Sequence, residues 1–128
     1  MTTIEPKYVS FETAKLLQEK GFEINSSKCY NENGESKTVA LTARKLHHKE
    51  KVFYPRPELW IVQEWLLKEH KLLVATTRKG GWWFYVIESY RQEDIEGTII
   101  ETETGGGHIQ TMYDAIDKGI IYCLNHLL

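Results

Sequence analysis

The chain has 128 residues, of which 41% are hydrophobic and 27% are charged, a composition typical of one globular domain with a real core. Its 16 basic and 18 acidic side chains give a formal net charge of −2, which excludes a general polyanion binder but leaves a local basic patch open. No apolar run approaches the ~20 residues of a membrane span, and residues 1–6 lack a signal-peptide pattern, so we expect a cytoplasmic protein with no membrane partner.

A helix is the first predicted element. Ser10 is a favoured N-cap residue, and apolar side chains recur at helical spacing from Phe11 to Leu17. Gly21 followed by Phe22 is typical of a helix end at which the glycine stops the helix and the next apolar residue folds back onto the last turn. The pattern therefore predicts a helix between Ser10 and Gly21.

The next part of the chain predicts short extended pieces. Cys29 and Tyr30 indicate a short strand, Asn33-Gly34 is a strong turn signal, and residues 38–42 are strand formers that can pair back across that turn. Residues 44–51 form a basic polar stretch that we interpret as solvated, and residues 52–54 indicate another short extended piece.

Two prolines, Pro55 and Pro57, frame the start of a second helix, because proline fits in a first helical turn. Trp60 and Leu67 widen the apolar surface of this helix, so we expect it to be well buried or to contact a partner. Cationic side chains at residues 70–71 suit a helix end at that point. Its apolar stripe consists of Leu59, Val62, Trp65 and Leu66, with Ile61 beside it.

Residues 72–90 predict a β-hairpin whose second strand carries four consecutive aromatic residues at 82–85. A turn at Lys79-Gly80 would pair Thr76 with Trp83, Val74 with Tyr85 and Leu72 with Ile87. A turn at Gly80-Gly81 would change the pairing. In both cases the two faces are apolar, because successive residues of a strand point to opposite faces. One face can be covered by helices, and the other needs a second layer, a partner or a ligand.

The C-terminal part predicts a strand and a helix. An acidic loop at residues 92–97 precedes a third strand at 98–102, and the glycines at 105–107 indicate a flexible connector. Thr111 caps the last helix, with Asp114 in a variant of the capping box. Gly119 lies within the apolar face and indicates close packing on the sheet. That face consists of Ala115, Ile116, Gly119, Ile120, Cys123, Leu124 and Leu127.

These elements predict an α+β fold, in which a small, mainly antiparallel sheet of the aromatic hairpin and neighbouring strands packs on about three helices. We expect residues 1–128 to form a single globular domain.

The aromatic hairpin is the first candidate binding site, because aromatic rings beside cations can stack on nucleic-acid bases or contact a protein. If it is a partner surface, at least one of its four rings should be substantially exposed in an isolated subunit. The candidate residues are Arg78, Lys79, Trp82, Trp83, Phe84 and Tyr85. A weaker basic patch, for which a solvated loop is the favoured interpretation, consists of Arg44, Lys45, Lys49 and Lys51, with His47 and His48 between them.

No motif predicts catalysis, a cofactor or a metal. The histidines are scattered, and the two cysteines, Cys29 and Cys123, lie far apart with no metal-ligand spacing. We expect both cysteines to be thiols, and Cys123 to be a small buried hydrophobe. The glycines before His108 could hold a phosphate at a helix start, but the Walker lysine is missing and a plain connector is favoured.

The chain resembles a family of short phage- and prophage-type proteins of gut bacteria. The resemblance rests on Tyr8-Val-Ser-Phe-Glu-Thr-Ala-Lys-Leu-Leu17, Lys20-Gly-Phe22, Tyr54-Pro-Arg-Pro57, Val62-Gln-Glu-Trp-Leu66, Glu69-His70 and Tyr113-Asp-Ala-Ile116. It covers most of the chain and implies a small cytosolic accessory protein of a mobile element. Because that family carries no defined active site, the resemblance assigns no functional residues.

We therefore expect a non-catalytic accessory or binding protein that acts through protein–protein contact, including self-association as a homodimer. The alternative is a nucleic-acid-binding accessory protein that uses the aromatic hairpin and the basic loop. A small hydrolase or transferase comes third.

Overall fold

The computed structural model describes residues 5–24, 27–38, 53–91, 98–102 and 108–128. The described residues form three helices and two three-stranded antiparallel sheets, which confirms the α+β class and the antiparallel pairing. Contacts divide the chain into two units, Met1–Glu58 and Leu59–Leu128, and each is described by itself. A single domain over residues 1–128 stays a prediction.

Helix α1 (Phe11–Glu19) has the two ends that the sequence predicts. The Ser10 hydroxyl accepts a hydrogen bond from the Thr13 N–H at 3.2 Å. Gly21 has a φ of +80°, and the Phe22 N–H donates at 3.0 Å to a carbonyl in the last turn. Both ends are therefore satisfied by local hydrogen bonds.

The first sheet consists of β1 (Lys28–Asn31), β2 (Ser36–Thr38) and β3 (Phe53–Pro55), in the order β2-β1-β3. The turn between β1 and β2 contains Gly34 at a φ of +84°, which confirms the Asn33-Gly34 signal. Of the strand predicted at 38–42 and the extended piece at 52–54, residues 39–42 and 52 lie outside the described residues.

Aromatic side chains hold α1 in the first unit, where it packs on β3. The Phe11 ring lies 5.6 Å from the Tyr30 ring and 5.7 Å from the Tyr54 ring, between centroids. The Arg56 guanidinium covers the Tyr8 ring at 4.2 Å from its centroid. The expectation that all three helices pack on one sheet is therefore corrected, because the described residues form two sheets and α1 packs on a strand of the first.

The two prolines precede the second helix, as predicted, but neither lies in its first turn. Pro55 is the last residue of β3, and the Pro57 carbonyl accepts a hydrogen bond from the Val9 N–H at 3.0 Å. Helix α2 begins after both prolines and spans Leu59–His70. Pro55 instead pairs with Cys29 of β1, and local sequence does not reveal such strand pairing.

Helix α2 buries three members of its predicted stripe, Leu59, Val62 and Leu66, whereas the fourth, Trp65, is half-buried. The side chains of Trp60 and Leu67 remain 57% and 37% exposed, so the expectation of a well-buried helix does not hold for them. The partner contact that was the other expectation stays a prediction.

The second sheet consists of β4 (Leu72–Lys79), β5 (Trp82–Ser89) and β6 (Thr98–Thr102), in the order β4-β5-β6. Gly80 and Gly81 form the turn with φ values of +60° and +86°, and Lys79 pairs with Trp82. A two-residue hairpin turn with positive φ at both positions favours glycine at both. The pairing based on Lys79-Gly80 is therefore wrong, and the Gly80-Gly81 alternative is confirmed.

Helix α3 (Met112–His126) packs against β4 and β5. The Thr111 hydroxyl accepts from the Asp114 N–H at 3.1 Å, as the capping pattern predicts. A Cβ atom on Gly119 would lie 2.7 Å from Val74 Cγ1 and 3.1 Å from Tyr85 Cβ, so this glycine permits the close approach of helix and sheet. The predicted acidic loop at 92–97 and the glycines at 105–107 lie outside the described residues.

Candidate functional site

The hairpin of β4 and β5 has two chemically different faces, which we call the inner and outer faces. The observed pairing alternates residues between them. The inner face carries Leu72, Val74, Thr76, Arg78, Trp83, Tyr85, Ile87 and Ser89. The outer face carries Leu73, Ala75, Thr77, Lys79, Trp82, Phe84, Val86 and Glu88.

The inner face is part of the core of the second unit. Leu72 and Ile87 are fully buried, and Val74 and Tyr85 are nearly so. The Tyr85 ring lies 6.2 Å from the ring of Tyr122 on α3, between centroids. Tyr85 is therefore a core residue, and its ring is not exposed on a binding surface.

The outer face is only partly buried among the residues that the structure describes. The side chains of Leu73, Ala75, Phe84 and Val86 are partly exposed, and Trp82 is 36% exposed. The condition that at least one ring of the hairpin be exposed is met. The binding role of these rings stays a prediction.

His108 and Ile109 contact the tip of the hairpin, and these contacts were not predicted from the sequence. The Trp83 N–H donates to the Ile109 carbonyl at 2.9 Å, and these residues form an isolated antiparallel bridge. The His108 ring lies 4.7 Å from the Trp82 ring, with 33° between their planes. No local signal predicts these contacts, because more than twenty residues separate the partners in sequence.

The two cations of the predicted site lie on opposite faces. The Arg78 guanidinium lies 5.9 Å from the centroid of its cross-strand neighbour Trp83, on the inner face. Lys79 lies on the outer face, opposite Trp82. The structure therefore divides the six predicted binding residues, and only Lys79, Trp82 and Phe84 share the outer face. The weaker basic patch of Arg44, Lys45, Lys49 and Lys51 lies outside the described residues.

Unlike charges occupy the two ends of the outer face. Lys79 is exposed at the tip, and Glu88 lies on the row of Leu73 at the other end. The Tyr90 hydroxyl donates to Glu88 Oε2 at 2.7 Å, and this bond raises the pKa of Tyr90. At the rise of a β-strand, the six residue steps from 73 to 79 separate the two ends by about 20 Å. Each charge therefore flanks the apolar centre without pairing with the other.

Helix α2 contacts β4, which is an edge strand of this sheet. The Gln63 side-chain amide donates to the Val74 carbonyl at 3.0 Å. An edge strand carries backbone groups that can recruit another strand, and a side chain bonded to one of them hinders such pairing. The contact therefore occupies one backbone group of the β4 edge.

A separate cleft of about 290 Å³ lies at the start of α3. Its lining residues are His108, Ile109, Gln110, Asp114, Asp117 and Lys118. The positive end of a helix dipole favours anions, but Asp114 and Asp117 already place carboxylates in this cleft. Its polar groups therefore do not form an anion site.

Cys123 is buried in α3, and burial raises the pKa of its thiol from 9.0 to about 12. A thiol protonated over the physiological range is a poor nucleophile, which agrees with its predicted packing role. Within the described ranges, no group of three or more histidine, cysteine or acidic side chains could hold a metal ion.

The chain matches no known family model, no curated protein and no solved structure. None of the helices in the described part of the chain has the length and apolar character needed to cross a membrane.

Proposed function

We propose that this protein is a non-catalytic accessory protein that acts through protein–protein contact on the outer face of its aromatic hairpin. The proposal includes the cytoplasmic location and the mobile-element origin that the resemblance implies. The observation that carries it is the 36% exposure of Trp82 on a face whose apolar neighbours are also partly exposed.

The outer face has the composition of an interface centre. Aromatic residues are enriched in the buried centres of protein interfaces, and charged residues are usual at their rims. Trp82 and Phe84 lie on one strand, while Lys79 and Glu88 lie at the two ends. The strands on both sides hold the backbone of β5, and the His108 ring packs against Trp82, so Trp82 loses little side-chain freedom on binding.

A second candidate is binding to single-stranded nucleic acid, which Lys79 beside Trp82 favours. Base stacking on an exposed ring contributes about 1–3 kcal/mol per base. The outer face carries a single cation, however, and each phosphate contact changes the salt slope by only about −0.7 for single strands. Such a surface predicts weak binding, so protein contact is the better-supported function.

Photo-cross-linking in the native host tests the proposal. A photo-reactive side chain introduced at position 77, on the outer face, samples the surface without removing a ring. The same side chain at position 69, an exposed site on α2, serves as the control. We expect protein adducts from position 77 that are absent from position 69.

Nuclease and protease treatment identify the class of adduct. An adduct that disappears with protease supports protein contact, and one that disappears with nuclease supports the second candidate. Equal adduct patterns from positions 77 and 69 would contradict both.

A further inference from the structure

We propose that the partner of the outer face is a second copy of this chain, packed face to face with its strands reversed. This inference rests on the proposed function and specifies its partner. In this arrangement the tip of one hairpin lies over the far end of the other. Lys79 of each copy then meets Glu88 of the other copy.

The charges select this orientation. Two identical sheets that pack face to face are related by a two-fold axis lying in the interface. An axis along the strands would bring the Lys79–Trp82 rows of the two copies together at one end and the Leu73–Glu88 rows together at the other. An axis across the strands lays β4 on β4, so the Lys79–Trp82 row of one copy faces the Leu73–Glu88 row of the other at both ends, and the apolar rows meet between them. Lys79 then lies diagonally across from Glu88 of the other copy, on the neighbouring strand. Like charges in contact oppose association, so the second arrangement is favoured.

The same charges do not pair within one chain. The rows of Lys79 and Glu88 are about 20 Å apart at the standard rise of a strand. That separation exceeds the screening length of about 8 Å at physiological salt. Lys79 can therefore form an ion pair with Glu88 only when the two residues belong to different copies in the proposed dimer.

The size of the face predicts a weak dimer. The eight hairpin residues of the outer face cover roughly 250 Å² at standard strand spacings. A standard interface buries about 800 Å² on each partner. We therefore expect a concentration-dependent equilibrium between monomer and dimer, with a dissociation constant in the micromolar range or weaker.

Sedimentation velocity on the full purified chain tests the proposal by charge reversal. In the proposed dimer, Lys79→Glu and Glu88→Lys each replace two attractive contacts with two repulsive ones. We expect each single variant to dimerise about tenfold more weakly than the wild type or worse. Lys118→Glu and Glu69→Lys, at exposed positions off this face, are the matched controls and should leave dimerisation unchanged.

Two recombinations separate charge pairing from a folding defect. An equimolar mixture of the Lys79→Glu and Glu88→Lys chains restores unlike charges at both ends, so mixed dimers should form with wild-type affinity. The double variant in one chain should also recover. A folding defect would be worsened by combination and not rescued.

Three results would overturn the proposal: a wild type that stays monomeric at millimolar concentration, single reversals that dimerise as well as the wild type, or no recovery in the mixture. A monomeric chain that still gives foreign-protein adducts from position 77 would refute self-association while leaving the proposed function intact. Absence of both dimer and adducts would refute both.

Discussion

The inner and outer faces of the hairpin are built from the same two strands, yet they differ in burial and in the groups at their ends. Ile87 on the inner face is fully buried, whereas its neighbour Val86 on the outer face is partly exposed. The comparison shows that a continuous apolar strand does not by itself indicate a sheet covered on both faces. Here the second apolar face is only partly buried, and its binding role stays a prediction.

The largest expected effect comes from truncating the inner face. Ile87→Ala removes buried methyl and methylene groups next to α3, so we expect it to lower the free energy of unfolding by about 2–5 kcal/mol. Val86→Ala, on the outer face of the same strand, should cost less than about 1.5 kcal/mol. Urea denaturation of both variants measures the difference, and equal losses would show that the faces do not differ as described.

Gly119→Ala should have the next largest effect, because its Cβ would lie 2.7 Å from Val74 Cγ1. We expect a loss of about 1–3 kcal/mol from overpacking, although alanine is the better helix former. The loss should shrink in a Val74→Ala background, which removes the nearest atom. Thermal denaturation of the double-mutant cycle tests this, and additive effects would argue against direct contact.

The hairpin turn should discriminate between substitutions at Gly80. Gly80→Ala places a side chain at a φ of +60° and should cost about 1–2 kcal/mol. Gly80→Asn should be close to neutral, because asparagine followed by glycine is favoured in this type of turn. Similar stabilities for the two variants in chemical denaturation would contradict the observed turn.

Cys123 should make the free energy of unfolding depend on pH in the alkaline range. The thiol of the unfolded chain ionises near pH 9, whereas burial raises the folded pKa to about 12, so the unfolded state binds fewer protons between these values. The stabilisation is complete below pH 9 and is lost as the pH rises towards 12. Urea denaturation from pH 8 to 11 measures the free energy of unfolding at each pH, and Cys123→Ala should remove this part of its decline. Parallel curves of unfolding free energy against pH for the wild type and the variant would contradict the prediction.

Local chemistry predicted the helix ends and the hairpin well. Ser10, Gly21 and Thr111 act through partners within a few residues, so their sequence signals were sufficient. The first choice of hairpin pairing failed because it placed Lys79 in a turn that uses glycine at both positions. The two apolar faces were predicted correctly, because both pairings assign the same residues to each face.

Long-range pairing could not be predicted from local patterns. The pairing of β3 with β1 draws Pro55 into a strand, and the stacking of His108 on Trp82 joins residues far apart in sequence. The alternation of side chains along β4 and β5 explains why the six predicted binding residues divide between the two faces. Which of these faces α3 covers depends on tertiary packing. Gly119 was the one sequence signal for that contact, because it indicated close approach to the sheet.

Zero-length cross-linking of the purified wild-type chain tests the central claim most directly. A carbodiimide joins a lysine amine to a carboxylate only when the two are in contact, and Lys79 and Glu88 lie about 20 Å apart within one hairpin. In a mixture of isotopically heavy and light chains, we predict a Lys79–Glu88 cross-linked peptide that contains one heavy and one light half. Lysine–carboxylate cross-links confined to single chains, or intermolecular links that exclude both residues, would contradict the reversed face-to-face dimer.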